Sequence, residues 1–214
     1  MSRSSASTNA VQPAEAEVRA PKRRRGRERV ASLLDAAARV FAEKGYEAAT
    51  MTEIAAEARS SIGSLYQFFP TKPLLAEALH VERLATLSAT LETLRMEMVG
   101  ASAPTIGDAI FDQFAAFLVD HPEFATLMSR RDIPPQRRTQ SRLALRGQIA
   151  GLLAEAKPPL PPKTLDVLAA LALELLKVVV AAMSDPQLEE RFALVVELRG
   201  MLRQRLRTLS GEAG

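Results

Sequence analysis

A short segment, residues 61–67 (SIGSLYQ), carries hydroxyl, phenol and amide side chains within seven positions. The amide of Gln67 can pair bidentately with adenine, and Ile62 or Phe68 can contact a thymine methyl group. The Tyr66 hydroxyl can donate a hydrogen bond to a phosphate oxygen. Such groups are useful to a DNA-binding protein only if they share the exposed face of one rigid element.

The residues around this segment predict that element. We expect one short helix over residues 51–58 and a second over residues 62–68, separated by Arg59, Ser60 and Ser61 and ended by Pro70. Two short helices joined by a tight turn form a helix-turn-helix, whose second helix can lie in the DNA major groove.

Local signals define the start of this motif. Thr50 and Glu53 have the spacing of a capping box, in which each side chain binds the backbone N–H of the other residue. A preceding helix is expected over residues 27–44, with Gly45 as its stop signal. Gly63 lacks a side chain, so bases can approach the second helix closely.

The positive charge of the chain is concentrated just before the motif. Residues 1–29 carry a net charge of +5, whereas the remainder carries −2. Arg25 and Arg27 belong to this basic run and are predicted to contact DNA phosphates. A solvated tail that contributes only to solubility is the alternative.

Composition favours an all-α protein. Ala and Leu dominate, aromatic residues make up only 5%, and no strand pattern is found. We expect about nine helices: a three-helix N-terminal helix-turn-helix domain, followed by a helical ligand-binding and dimerisation bundle. The last helix is expected from Pro186, with Asp185 as its N-cap. The predicted units are a disordered tail over residues 1–21, a DNA-binding domain with its basic arm over 22–72, and a regulatory and dimerisation domain over 73–210.

Residues 33–79 closely resemble the N-terminal domain of the tetracycline-repressor (TetR/AcrR) family. The matching signals are Asp35-Ala36-Ala37, Phe41, Gly45-Tyr46, Thr50, Ile54-Ala55, Gly63-Ser64-Leu65-Tyr66, Phe69-Pro70 and Lys72. The resemblance implies a homodimeric, ligand-responsive transcriptional regulator, usually a repressor, that binds a double-stranded DNA operator. Arg59 and Ser60 depart from the Gly and Val that are common in the family turn, and Ile62 replaces a common Lys or Arg.

The resemblance also assigns roles within the motif. Residues that position the protein on the DNA backbone are expected to be Thr50, Thr52, Ser61, Tyr66 and Lys72. Residues expected to read bases are Ile62, Gly63, Ser64 and Gln67. Leu65 and Phe69 are predicted to lock the motif onto the first helix.

The C-terminal two-thirds of the chain is expected to dimerise and to sense a ligand. Apolar residues of the last two helices predict a dimer interface at Leu171, Leu175, Val179, Leu198, Leu202 and Leu206, although an intramolecular bundle fits the same pattern. Aromatic and Met residues predict an apolar pocket lined by Leu91, Met98, Phe111, Phe114, Phe117, Phe124 and Met128, with plain core filling as the alternative. The basic cluster from Arg130 to Arg146 is expected to be a solvated surface.

Other classes of function find little support. The two histidines, His80 and His121, form no paired metal motif, and no nucleophile elbow or phosphate loop is present. We therefore expect no enzyme, no cofactor and no metal, and we expect a cytoplasmic protein. A membrane span over residues 165–183 is disfavoured because Asp166, Glu174 and Lys177 interrupt it, each at a cost of about 2.5–3.5 kcal/mol.

The alternative function is a dimeric helical small-molecule-binding module that keeps the motif without binding DNA specifically. The operator sequence, the identity of the effector and the sign of regulation are not encoded in any motif.

Overall fold

The computed structural model describes residues 16–128, 130, 135–185 and 187–211. Within these ranges the chain forms nine α-helices and no strand, which confirms the all-α prediction. The helices are α1 (Ala16–Ala48), α2 (Met51–Glu57), α3 (Ile62–Phe68), α4 (Lys72–Glu97), α5 (Ala103–Asp120), α6 (Glu123–Met128), α7 (Pro135–Ala154), α8 (Pro162–Ser184) and α9 (Arg191–Ser210).

Two predicted helix boundaries were wrong. The first helix begins at Ala16, so residues 16–21, assigned to a disordered tail, are helical; residues 1–15 lie outside the described ranges. Further along the same helix, an i, i+4 ion pair joins Arg24 and Glu28 on its exposed surface. The last helix begins at Arg191, because Asp185 instead accepts a hydrogen bond from the Gln187 N–H at 2.9 Å and turns the chain.

The first four helices bury one hydrophobic core around Phe41. Leu33, Ile54 and Leu65 from α1, α2 and α3 are fully buried there. The core extends into the first two turns of α4 at Leu75 and Leu79 and includes Leu127 of α6. The N-terminal head is therefore packed directly against an element of the C-terminal bundle.

A second core fills the bundle formed by α4, α5, α7, α8 and α9. Helices α5 and α9 approach very closely at Gly107, where an added Cβ would lie 2.5 Å from Leu206 Cδ1. The predicted stripe on the last helix is thus used inside the chain, with Leu198, Leu202 and Leu206 buried.

Helix α8 is the one helix among the described residues that is long and apolar enough to cross a membrane. Its buried face belongs to the bundle core through residues such as Leu168, Ala172 and Leu176. On its outer face, Glu174 forms ion pairs with Arg142 and Lys177. These contacts support the interpretation of α8 as a core helix.

Candidate nucleic-acid interface and ligand cavity

Helix α2 is held in place by a complete capping box. The Thr50 hydroxyl accepts from the Glu53 N–H at 3.2 Å, and the Thr50 N–H donates to Glu53 Oε2 at 2.9 Å. The Thr50 hydroxyl proton also points to Glu53 Oε2, at 2.8 Å, and Lys44 Nζ donates to Oε1 at 2.7 Å. Because the Thr50 hydroxyl already donates to Glu53, its predicted contact with a phosphate depends on the backbone N–H groups of the helix start.

These contacts lower the pKa of Glu53 to about 2, first through the hydrogen bond from Lys44 and then through those from Thr50. The depressed pKa means that the capping box adds stability above the unfolded pKa of 4.5, and that this contribution is lost as the pH falls through about 2. The start of α2 should therefore remain capped throughout the mildly acidic range.

The turn between α2 and α3 contains Arg59 in a left-handed conformation, with φ at 49°. Residues other than glycine pay about 1–2 kcal/mol for this region, because their Cβ crowds the following carbonyl oxygen. Arg59, which stands where the family commonly has glycine, therefore adopts a backbone conformation that glycine adopts without strain.

Helix α3 presents one face to the head and the opposite face outward. Ser61 caps its start by accepting from the Ser64 N–H at 3.2 Å, and Leu65 and Phe69 are buried, as predicted. Ile62, Gly63, Tyr66 and Gln67 are all exposed, and the exposed fraction of Tyr66 is 48%. Ser64 is half-buried, so three of the four predicted base-reading residues, Ile62, Gly63 and Gln67, lie on a surface that no described part of the bundle covers.

The remaining predicted DNA contacts lie around this surface. Thr52 is exposed in the first turn of α2, and Arg25 and Arg27 are exposed on α1. Arg27 and Phe68 line the same shallow groove between α1 and α3. The basic arm is therefore a helix whose Arg27 lies beside the second helix of the motif.

Lys72, which is predicted to place a point charge on the DNA backbone, is half-buried, and in the free protein its ammonium group binds the end of α1. Its Nζ donates to the backbone oxygens of Tyr46, Glu47 and Ala49 at 2.8, 3.0 and 2.9 Å. It also lies 4.7 Å from the centre of the Tyr46 ring. A lysine has three N–H donors, so all of them are occupied by the unpaired carbonyls that end α1.

The predicted pocket exists in part. A cavity of about 430 Å³, which we call the effector cavity, lies between α4, α5, α6, α7 and α8. Phe114, Phe124 and Met128 line it, as predicted. Four predicted lining residues lie elsewhere: Phe111, Phe117 and Leu91 are buried in the core, and Met98 packs against the core near the end of α4. The helical spacing of these residues predicts that they are buried, but it does not distinguish a packed core from the wall of a pocket.

Sequence reasoning missed several residues of this cavity. The apolar ones are Leu84, Leu145, Leu173 and Leu176, and the polar ones include His80, Ser141, Arg142 and Lys177. Their periodicity indicates only a buried face, and His80 was interpreted as a surface or packing residue. A pocket can be predicted only when it is known which faces of α4, α7 and α8 meet.

The described members of the basic cluster, Arg130, Arg142 and Arg146, each contact another side chain. Arg130 is buried with its guanidinium 4.5 Å from the centre of the Tyr46 ring. Arg142 pairs with Glu174 at 2.6 Å, and Arg146 lies 3.9 Å from Asp166. The side chains of Arg131, Arg137 and Arg138 lie outside the described residues. The acidic partners come from α8, which local sequence could not reveal.

The predicted dimer interface needs correction. Val179, Leu198, Leu202 and Leu206 are buried within the chain and cannot face a partner, because α5, α8 and α9 bury them against each other. Leu171 is exposed and Leu175 is partly buried. The exposed apolar side chains of these helices are Val167, Val178 and Met183 on α8 and Phe192, Val196 and Met201 on α9.

Two family models match this chain. The model described as bacterial regulatory proteins, tetR family, matches residues 33–79. The model described as tetracyclin repressor-like, C-terminal domain, matches residues 104–206. The two matches cover both the head and the bundle.

Two individual proteins are similar to this chain in sequence. The A-factor receptor protein of Streptomyces griseus is 32% identical over 102 residues, which are 48% of this chain and 34% of that protein. The transposon Tn10 TetC protein of Escherichia coli is 30% identical over 90 residues, or 42% of this chain and 44% of that protein. The chain therefore matches less than half of the length of these curated relatives.

Solved structures show the same fold over nearly the whole bundle. The structure of a TetR-family transcriptional regulator from Streptomyces coelicolor has a TM-score of 0.56 at 25% identity. The alignment covers 87% of this chain and 99% of that one.

Proposed function

The chain belongs to the tetR family of bacterial regulatory proteins, and from this premise we propose that it is a sequence-specific DNA-binding transcriptional repressor. It acts on a near-palindromic operator in the cytoplasm and is released by a small, mainly hydrophobic effector. The observation that carries this proposal is the outward face of α3, where Ile62, Gly63 and Gln67 are exposed while Leu65 locks the helix onto the head.

The chemistry of that face suits a major groove. Gln67 supplies an amide that can pair with adenine, and Ile62 supplies a methyl contact. The exposed Tyr66 hydroxyl is placed to reach a phosphate on the same side. A symmetric dimer brings two copies of α3 to successive major grooves, about 34–36 Å apart.

The substitution Gly63→Ala tests DNA binding without disturbing the fold. An ideal Cβ at Gly63 meets no atom within 4 Å, so the free protein has room for the methyl group. We expect unchanged stability or a gain of up to about 1 kcal/mol from helix propensity. We expect binding to the preferred DNA sequence to weaken by about tenfold or more, because the methyl group keeps α3 away from the bases.

The preferred DNA is obtained by sequencing fragments that the purified protein retains from a random pool, and affinity is then measured by filter binding. Gly147→Ala on α7 is the matched control, since it also has open space around its Cβ. It should leave DNA affinity unchanged. If the pool yields no enriched sequence, the proposed function is wrong and the chain is a helical binding module.

We propose that the dimer forms through the exposed apolar faces of α8 and α9. Val196 is 66% exposed, so Val196→Glu places a carboxylate on the surface of α9. The two-fold axis of a dimer would place the carboxylate of the second protomer near the first. We expect dimerisation to weaken at least about a hundredfold, because like charges across an interface cost several kcal/mol. Sedimentation equilibrium measures this effect.

Val119→Glu is the control, because Val119 is 79% exposed and belongs to α5, not to the proposed interface faces of α8 and α9. It should remain a dimer. A dimer that survives Val196→Glu and dissociates in Val119→Glu would place the interface on another face.

A further inference from the structure

His80 lies in the wall between two cavities. It lines the effector cavity and also a groove of about 470 Å³ between α4 and α7. Leu84, Ser141 and Leu145 line both of them as well. The imidazole is therefore placed where a molecule in either cavity can contact it.

The two ring nitrogens of His80 differ in their surroundings. Nδ1 is buried and has no hydrogen-bond partner among the described residues. The ring is stacked on Phe124, with 5.6 Å between the ring centres and 15° between the planes. Nε2 is not buried in this way, so it is the nitrogen that a bound molecule can reach.

The surroundings of His80 favour the neutral imidazole. Burial lowers the pKa of His80, and the charge of the nearby Arg130 lowers it further. A neutral imidazole carries one N–H and one acceptor nitrogen. A buried N–H without an acceptor is rarer in proteins than a buried acceptor without a donor. We therefore place the proton on Nε2, so that this nitrogen is a donor toward the cavity.

The rest of the lining favours a neutral ligand. The described lining residues of α5 and α6 are all apolar, and α8 contributes Leu173 and Leu176 beside Lys177. The two cations among the described lining residues, Arg142 and Lys177, both bind Glu174, at 2.6 and 2.7 Å. The hydrogen bond from Lys177 and the charge of Arg142 lower the pKa of Glu174, so this carboxylate remains ionised and occupies both of them.

We propose that the effector cavity binds a neutral, mainly apolar molecule with one acceptor oxygen of the carbonyl class, which receives a hydrogen bond from His80 Nε2. The inference rests on the proposed function in one respect only, namely that this cavity is the effector site. Ser141 carries a hydroxyl that can donate to the same oxygen.

The position of His80 links such a ligand to the head. His80 lies on α4, whose first residue Lys72 binds the end of α1. A ligand that binds His80 more favourably in one arrangement of α4 than in another would shift the heads toward that arrangement.

The test uses three probes of nine non-hydrogen atoms each: acetophenone, isopropylbenzene and benzoate. Calorimetric titration of the DNA-free protein gives the dissociation constant of each probe. The quantity of interest is the ratio of the isopropylbenzene constant to the acetophenone constant, because it isolates the carbonyl oxygen. We expect His80→Phe, which keeps an aromatic ring beside Phe124, to lower this ratio about tenfold.

Two further variants identify the nitrogen. His80→Gln places an amide N–H near the position of Nε2 and should keep the ratio within about threefold of the original protein. His80→Asn places its amide near Nδ1 and should behave like His80→Phe. Benzoate should bind most weakly of the three probes.

An unchanged ratio in His80→Phe, tightest binding of benzoate, or no binding of any probe would each overturn the proposal. These outcomes are distinct from a failure of the proposed function. A protein that enriches a DNA sequence yet shows no dependence on His80 loses only this inference. A protein that selects acetophenone through His80 but enriches no DNA keeps it.

Discussion

Arg83→Met is expected to lower the free energy of unfolding by about 3–5 kcal/mol, the usual cost of leaving a buried charge without its partner. Arg83 Nε donates to Glu123 Oε1 at 2.6 Å, and the two side chains are 10% and 3% exposed. Arg83 also pairs with Glu82 at 3.3 Å, and His121 Nδ1 lies 4.0 Å from Glu123. Loss of the guanidinium would leave the Glu123 carboxylate buried in an apolar region beside α4.

Urea unfolding of matched variants distinguishes this mechanism from simple loss of packing. The double variant Arg83→Met/Glu123→Leu removes both charges and should recover most of the lost stability, because apolar replacement of a buried pair is often neutral or stabilising. Arg95→Met is the surface control: Arg95 pairs with Glu92 and Glu155 but is 38% exposed, so its loss should lower the stability much less than the loss of Arg83. A double variant no more stable than Arg83→Met would contradict the charge mechanism.

This ion pair also bears on regulation. It joins α4 to α6, and α6 contributes Phe124 and Met128 to the effector cavity and Leu127 to the core of the head. The buried ion pair thus adds to the contacts by which α4 and α6 connect the cavity to the head.

Lys72→Met is expected to cost about 2–3 kcal/mol of stability, since charged hydrogen bonds contribute about 1.5–3 kcal/mol and three carbonyls would lose their donor. Tyr46, Glu47 and Ala49 supply those carbonyls. Thermal or urea unfolding measures the loss. Lys44→Met is the control, because Lys44 forms an exposed pair with Glu53 and its loss should lower the stability much less than the loss of Lys72.

The same variant tests how Lys72 relates to DNA. A direct phosphate contact would reduce the slope of log affinity against log salt by about 0.9 when the charge is removed. We expect the slope to stay unchanged and the affinity to fall only as far as the head is distorted. An unchanged unfolding free energy together with a reduced slope would instead support the phosphate contact predicted from the sequence.

The DNA-binding motif was accessible from the sequence because its determinants are local. The capping box at Thr50 and Glu53, the break in α1 at Gly45, whose φ of 76° is not helical, and the cap at Ser61 each act within a few residues. The alternation of buried Leu65 with exposed Tyr66 and Gln67 follows from the period of a single helix. These signals were sufficient to place the candidate reading face before the structure was known.

Features that depend on two distant elements were not accessible in this way. The sequence could not show that Lys72 reaches back to the end of α1, or that Arg142 pairs with Glu174 across 32 positions. It also could not orient α8 and α9, because a helix that is apolar on several faces satisfies a core and a dimer interface equally well.

By itself, the sequence determined the helical class, the helix-turn-helix and the concentration of positive charge near it. Only the tertiary structure decided which apolar side chains remain exposed, which cations are already paired, and that His80 borders a cavity. Helix formation and capping depend on neighbours within about one turn of the chain. Burial, pairing and cavities depend on how separate helices pack, which no local pattern specifies.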